Sequence, residues 1–269
     1  HMGVAGVAVP TLVSRTVGAV IILSLASRPD YLLRITPRSV TRLQGGTVRR
    51  ILAIGVPSAC ENSLFQLGRV LVVSMISLFG TVHISANAVA NNLDGVGCII
   101  GNAMGLGMIT VIGRCVGARD FDQTILYTKK LLRWDYIAQG TLNILMLLML
   151  GPLLSLYTLS PQTYALSAQL VCIHAVFSIL IWPLAFVLPH ALRAATDVRF
   201  TMIVSVLSML VWRLAFSQVL CVQLGWGAVG VWWAMILDWV CRTICFVVRF
   251  AGGAWKRHAS LSKGTAAAH

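Results

Sequence analysis

From Tyr136 to Leu192 the chain carries no Asp, Glu, Lys or Arg. A membrane-spanning α-helix needs about 20 mostly apolar residues at 1.5 Å rise each. The run is too long for one span and predicts two, with the break at Thr158-Leu159-Ser160-Pro161, where serine and proline signal a turn. The rest of the chain follows suit. It is 58% hydrophobic and 11% charged, with a mean hydropathy of +0.84, against about 25% charged residues in a soluble domain. A water-soluble core is excluded. Seven apolar stretches are legible, at roughly 3–26, 51–79, 85–112, 126–157, 163–190, 200–222 and 227–249. The alternating pattern of a lipid-facing barrel strand is absent. The expected fold is therefore all-α, a polytopic transmembrane helical bundle of about seven spans.

The net charge of +13 would suggest nucleic acid in a soluble protein. Here the basic residues sit between apolar stretches, so nucleic acid is not an expected partner and the lipid bilayer is. Arg28, Arg34, Arg38, Arg42, Arg49 and Arg50 follow the first stretch, Arg114, Arg119, Lys129, Lys130 and Arg133 the third, and Arg193 and Arg199 the fifth. The tail holds Lys256, Arg257 and Lys263. The intervening connections, near Gly80, Leu159 and Gly225, carry no Lys or Arg. This is the positive-inside pattern. It places the odd loops and the C-terminus in the cytoplasm and the N-terminus outside. Trp226, Trp232 and Trp233 suit an outer interfacial belt. The expected location is a plasma membrane, bacterial inner membrane in type. A first span that starts outside, with few residues before it, leads us to expect earlier spans.

No cofactor, metal or catalytic pattern is evident. The cysteines (Cys60, Cys98, Cys115, Cys172, Cys221, Cys241 and Cys245) form no CxxC pair and read as small packing residues. The first apolar segment contains Arg15 and lacks the order of a cleavable signal. No nucleotide loop, nucleophile triad or zinc spacing appears, so an enzyme is not expected. A seven-span receptor is disfavoured by the absence of Asp-Arg-Tyr after the third span and of Asn-Pro-x-x-Tyr in the seventh.

Five segments carry a resemblance. Ile54-Gly-Val-Pro-Ser-Ala-Cys-Glu-Asn-Ser-Leu-Phe-Gln-Leu-Gly-Arg69 resembles the opening of the seventh helix of multidrug and toxin extrusion (MATE) exporters. Ala86-Asn-Ala-Val-Ala-Asn-Asn92 resembles the eighth, and Gly113-Arg-Cys-Val-Gly-Ala-Arg-Asp120 the VGQxLGA-type cytoplasmic loop. Leu192-Arg-Ala-Ala-Thr-Asp-Val-Arg-Phe200 is similar to the LRAxGD loop after the tenth helix. Val231-Trp-Trp-Ala-Met-Ile-Leu-Asp-Trp-Val-Cys-Arg242 resembles the twelfth. The resemblance implies the C-terminal half, helices six to twelve, of a twelve-helix two-lobe transporter. Residues 1–50 would be the last helix of the N-terminal lobe and the inter-lobe linker, 51–252 a six-helix lobe, and 253–269 a cytoplasmic tail. It also implies a secondary active antiporter that exports small cationic drugs or metabolites in exchange for H⁺ or Na⁺, with an N-terminal lobe (helices one to five) as partner. A lipid-linked precursor flippase of the same superfamily and a non-transporting fragment are the alternatives.

Ionisable residues at membrane depth are costly and mark function by default. Arg15, Glu61, Arg69, Asp94, Arg213, Asp238 and Arg242 are such residues. Counting 1.5 Å per residue puts Arg69 and Asp94 each roughly 27 Å from the inner end of its helix, so the two are expected to pair. Arg213 and Asp238 lie at similar depths, and Asp238 and Arg242 are four apart on one helical face. Arg69, Arg213, Asp238 and Arg242 are therefore expected to be structural charges. Glu61, with Asn62 and Gln66, and Asp94, with Asn91, are the expected ion-coupling or substrate-binding residues. Glu61 lies about 15 Å deep by the same count, one turn after Pro57, which frees backbone carbonyls. In the NorM-like branch of the resembled family the helix-seven carboxylate stands where this chain has Phe65, and the tenth helix holds an acid. The corresponding stretch here offers His174 and His190 instead. His174 reads as a satisfied core histidine. Gly97, Gly101 and Gly105 recur every four residues and read as helix packing.

Overall fold

The computed structural model describes residues 5–26 and 45–256. The chain divides into two compact units, His1–Ile54 and Gly55–His269. Within the first, α1 (Ala5–Ala26) is a continuous helix through Pro10, with exposed apolar side chains from Val9 to Leu25. Such a surface has no aqueous rationale and fits lipid contact. α2 (Gly45–Ser77) runs from one unit's residues into the other's.

The second unit is a bundle of packed helices. Its helices are α3 (Thr81–Gly97), α4 (Ile99–Gly117), α5 (Phe121–Leu148), α6 (Leu150–Ser155), α7 (Pro161–Leu180), α8 (Leu188–Ala194), α9 (Val198–Ser208) and α10 (Gly227–Ala251). Wider π-helical turns fill Pro183–Val187, Met209–Phe216 and Gln218–Gln223. Local sequence explains the ends. Asp120 caps α5 by accepting from the Gln123 amide at 2.9 Å. Ser160 caps α7, and Pro161 stands at its first position, where a missing N–H costs nothing. The turn expected at Thr158–Pro161 lies between α6 and α7. Gly80, at φ 87°, enters α3 in a conformation open to glycine.

Five stretches of the described residues are long and apolar enough to cross a membrane: Ala8–Leu25, Ile99–Gly117, Pro161–Leu180, Val198–Gln223 and Gly227–Ala251. The expected span at 85–112 is not one uninterrupted helix. It falls on α3 and α4, which meet at Cys98. The stretches 51–79 and 126–157 are helical in α2, α5 and α6, but α2 and α5 are less apolar than those five. No strand occurs among the described residues.

The core forms where α3 packs on α7, α4 on α5 and α8, and α10 on the π-helical segments. Ile76, Ala86, Ala90, Met108, Ile112, Leu170, Ala175 and Trp232 are buried there. Lipid is as apolar as leucine, so apolar burial alone does not hold such helices together. Close backbone approach and polar ties do. A Cβ on Gly97, Gly101 or Gly105 would run into Asn143, Gln139 with Trp182, or His190, which is the packing role expected of that repeat. Asn143 donates to the Gly97 carbonyl at 3.0 Å, Gln139 to Ser178 Oγ at 3.1 Å, and Trp232 Nε1 to Asn87 Oδ1 at 3.0 Å.

Candidate functional site

A cavity of about 450 Å³ lies within the second unit. α2 contributes Asn62, Phe65 and Arg69 to its wall, and α3 contributes Asn91 and Asp94. Trp182 stands just before the π turn after α7 and Phe186 within it, α8 supplies His190 and Arg193, and the π run after α9 supplies Arg213. Met235, Trp239 and Arg242 come from α10. Its size is in the range of small-molecule sites, and its aromatic faces with a few converging polar groups match their usual composition.

Asp94 is about a quarter exposed, and His174 Nε2 stands 2.6 Å from its Oδ1. The His174 side chain is buried at 1% exposure, edge-on to Trp232 and Trp239. Cys98 Sγ donates to the same Asp94 oxygen at 3.2 Å. The break at Cys98 and the α3–α7 contact assemble this group. Asp94, Cys98 and His174 are also a set that could hold a metal ion, their ligand atoms lying within 4.8 Å of one another. Sequence spacing showed no metal site because His174 is far from the other two in the chain. Donors around a tetrahedral ion, bound at about 2.0–2.3 Å, stand roughly 3.3 Å apart. The 2.6 Å contact is instead that of a direct carboxylate–imidazole hydrogen bond.

Arg69 is exposed and lines the cavity, but it forms no ion pair with Asp94 among the described residues. Equal depth did not make partners of them, because depth leaves rotation about the helix axis open, and α3 turns Asp94 toward α7. Asp238 and Arg242 do pair, at 2.9 Å and both buried. Ser208 Oγ donates to Asp238 at 2.5 Å, and Arg242 also reaches the Ser205 carbonyl at 2.9 Å. Arg213 makes no ion pair with Asp238. It contacts Met235 Sδ at 3.5 Å and lies 5.2 Å from the centre of the Phe65 ring. Asn62 lines the cavity, and Gln66 is exposed on α2. Asn91 donates to the Asn87 carbonyl at 2.7 Å. Glu61 lies on α2, and its side chain is outside the described part of the structure.

Sequence reading missed Asp135, fully buried on α5 with neither oxygen hydrogen-bonded. Its place beside the basic cluster Lys129, Lys130 and Arg133 disguised it, although the expected span from 126 already enclosed it. Cys98 was read as packing, and Trp182 and Trp239 carried no sequence signal of a cavity wall.

A family model described as MatE matches residues 57–219. The chain belongs to the MatE family. Similar curated proteins include an uncharacterized transporter, YisQ, of Bacillus subtilis, 26% identical over 257 residues that cover 94% of this chain and 55% of that one. Another is a probable multidrug resistance protein NorM of Thermotoga maritima, 24% identical, covering 98% and 56%. This MatE chain thus spans about half the length of the curated relatives it matches. Among solved structures, a MATE protein in complex with MaL6 superposes with a TM-score of 0.78 at 19% identity, over 95% of this chain and 58% of that one. A MOP superfamily transporter from Pyrococcus furiosus, whose reversed binding-pocket polarity is described as suggesting a different function, gives 0.68 at 19% identity over 74% and 44%. The protein is a multi-pass membrane protein of a transport family, and its fold is the helical bundle of half a MATE transporter.

Proposed function

We propose that this chain is the C-terminal lobe of a secondary active antiporter, one that exports organic solutes in exchange for H⁺ or Na⁺. Residues 51–252 act as the lobe, 1–50 as the last helix of the other lobe with its linker, and 253–269 as a tail. The lobe sits in a plasma membrane with its C-terminus in the cytoplasm. The observation that carries this reading is Asp94, a carboxylate on the wall of a drug-sized aromatic cavity, held by a buried histidine from another helix. A coupling cation bound at Asp94 competes with cargo for the same wall, which is how exchange arises, and Glu61 is the second candidate for the coupling ion. A cationic drug or metabolite would meet Asp94 and the faces of Trp182 and Trp239. The multidrug-resistance name of the Thermotoga relative supports the exporter over the flippase. Alternating access moves one lobe against another, so the chain needs the second lobe, helices one to five, to transport.

The test is Glu61→Gln and Asp94→Asn in the complete exporter, reconstituted in vesicles with an imposed pH or Na⁺ gradient. Both variants are expected to reach normal abundance, and at least one to lose gradient-driven efflux. Normal efflux from both would place coupling outside this lobe.

A further inference from the structure

The cavity wall is basic. Arg69, Arg193, Arg213 and Arg242 line it, and among the described residues Asp94 is the one carboxylate in the wall with them. Arg242 has its counter-ion in Asp238. Arg213 does not. Among the described residues its Nη2 reaches only a thioether, its Nε has no hydrogen-bond partner, and Phe65 offers a ring face. Arg69 projects into the same cavity with no carboxylate within ion-pair distance among the described residues. A smaller cavity of about 40 Å³ shares Arg69, Asn91, Arg213 and Met235 with the large one, so both arginines border both spaces. Arginine at membrane depth without an anion is costly, and a guanidinium fork fits the oxygens of a carboxylate or phosphate.

We infer that Arg213 and Arg69 form an anion subsite that takes the carboxylate, phosphate or sulfonate of the cargo, whose flat apolar body lies against Phe65, Trp182, Phe186 and Trp239. This rests on the reading of the cavity as the cargo site, and it specifies the cargo. The solute bears an anionic group that the arginines take, and any cationic group it also carries faces Asp94.

The experiment is calorimetric titration of the chain in phosphatidylcholine nanodiscs with phenyl phosphate and with phenyltrimethylammonium, matched in ring and opposite in charge. Phenyl phosphate is expected to bind at least about tenfold more tightly, and Arg213→Gln to weaken it by about tenfold or more. Arg69→Gln, at an exposed position outside the core, is the second variant and is expected to weaken it similarly. Equal or tighter binding of the cation, or unchanged phenyl phosphate binding in both variants, overturns the inference. A third arm adds phosphatidylglycerol to the discs. Abolished phenyl phosphate binding there would give the subsite to a lipid headgroup and overturn its assignment to cargo. No gradient is imposed, so failure here leaves the antiport reading to be judged by the efflux of the Glu61 and Asp94 variants.

Discussion

Asp238 and Arg242 show what a charge needs in order to stay inside a bilayer. The pair is buried, and the carboxylate also accepts from Ser208 while the guanidinium also donates to the Ser205 carbonyl. Removing one member leaves the other charged and alone, a loss of about 3–5 kcal/mol in buried pairs. Asp238→Asn and Arg242→Met are each expected to lower the thermal unfolding midpoint in detergent and the amount of protein in the membrane. The double replacement Asp238→Leu with Arg242→Met, which removes both charges, is expected to recover part of that loss. Recovery no better than the worse single variant would show that the pair's contacts with α9, not its charge balance, hold the helices.

At the scale of elements, α4 packs tightly along one face and openly along another. A methyl group on Gly101 would meet Gln139 and Trp182, whereas Gly107 on the same helix has nothing within 4 Å. Gly101→Ala is therefore expected to destabilise by about 1–3 kcal/mol, the usual cost of overpacking. Gly107→Ala should be neutral or slightly stabilising, as alanine for glycine in a helix normally is. Melting curves of the two variants side by side check this. The glycine repeat and the Asp238–Arg242 pair were legible in the sequence because both depend on spacing within one helix, where 3.6 residues per turn fixes geometry. The expected Arg69–Asp94 pair was not realised because it depends on the rotation of one helix against another. The π turns at 209–223 shift that rotation further in the helix bearing Arg213. The Asp94–His174 contact joins α3 to α7, and nothing in either segment announces the other.

For the whole molecule, the alternation of basic and uncharged connections predicts one orientation, with the loop after α4 expected in the cytoplasm. Cys115, partly exposed at the end of that helix, is then out of reach of a membrane-impermeant maleimide added to intact cells. It is expected to be labelled only after permeabilisation, with a variant lacking the other cysteines as the reporter. Labelling of Cys115 in sealed cells would invert the topology, and with it the direction of every proposed flux.

The wide turns between Met209 and Gln223 bear on how such chains are compared with one another. A helix bonded over five residues instead of four holds one residue more than the same arc needs. A relative that lacks a residue here can tighten the turn and keep both of its helix ends in place. A one-position gap in an alignment across this stretch is then a change of pitch, not a shortened loop. Side chains beyond the stretch keep their facing, and those inside it, Arg213 among them, are the ones re-aimed.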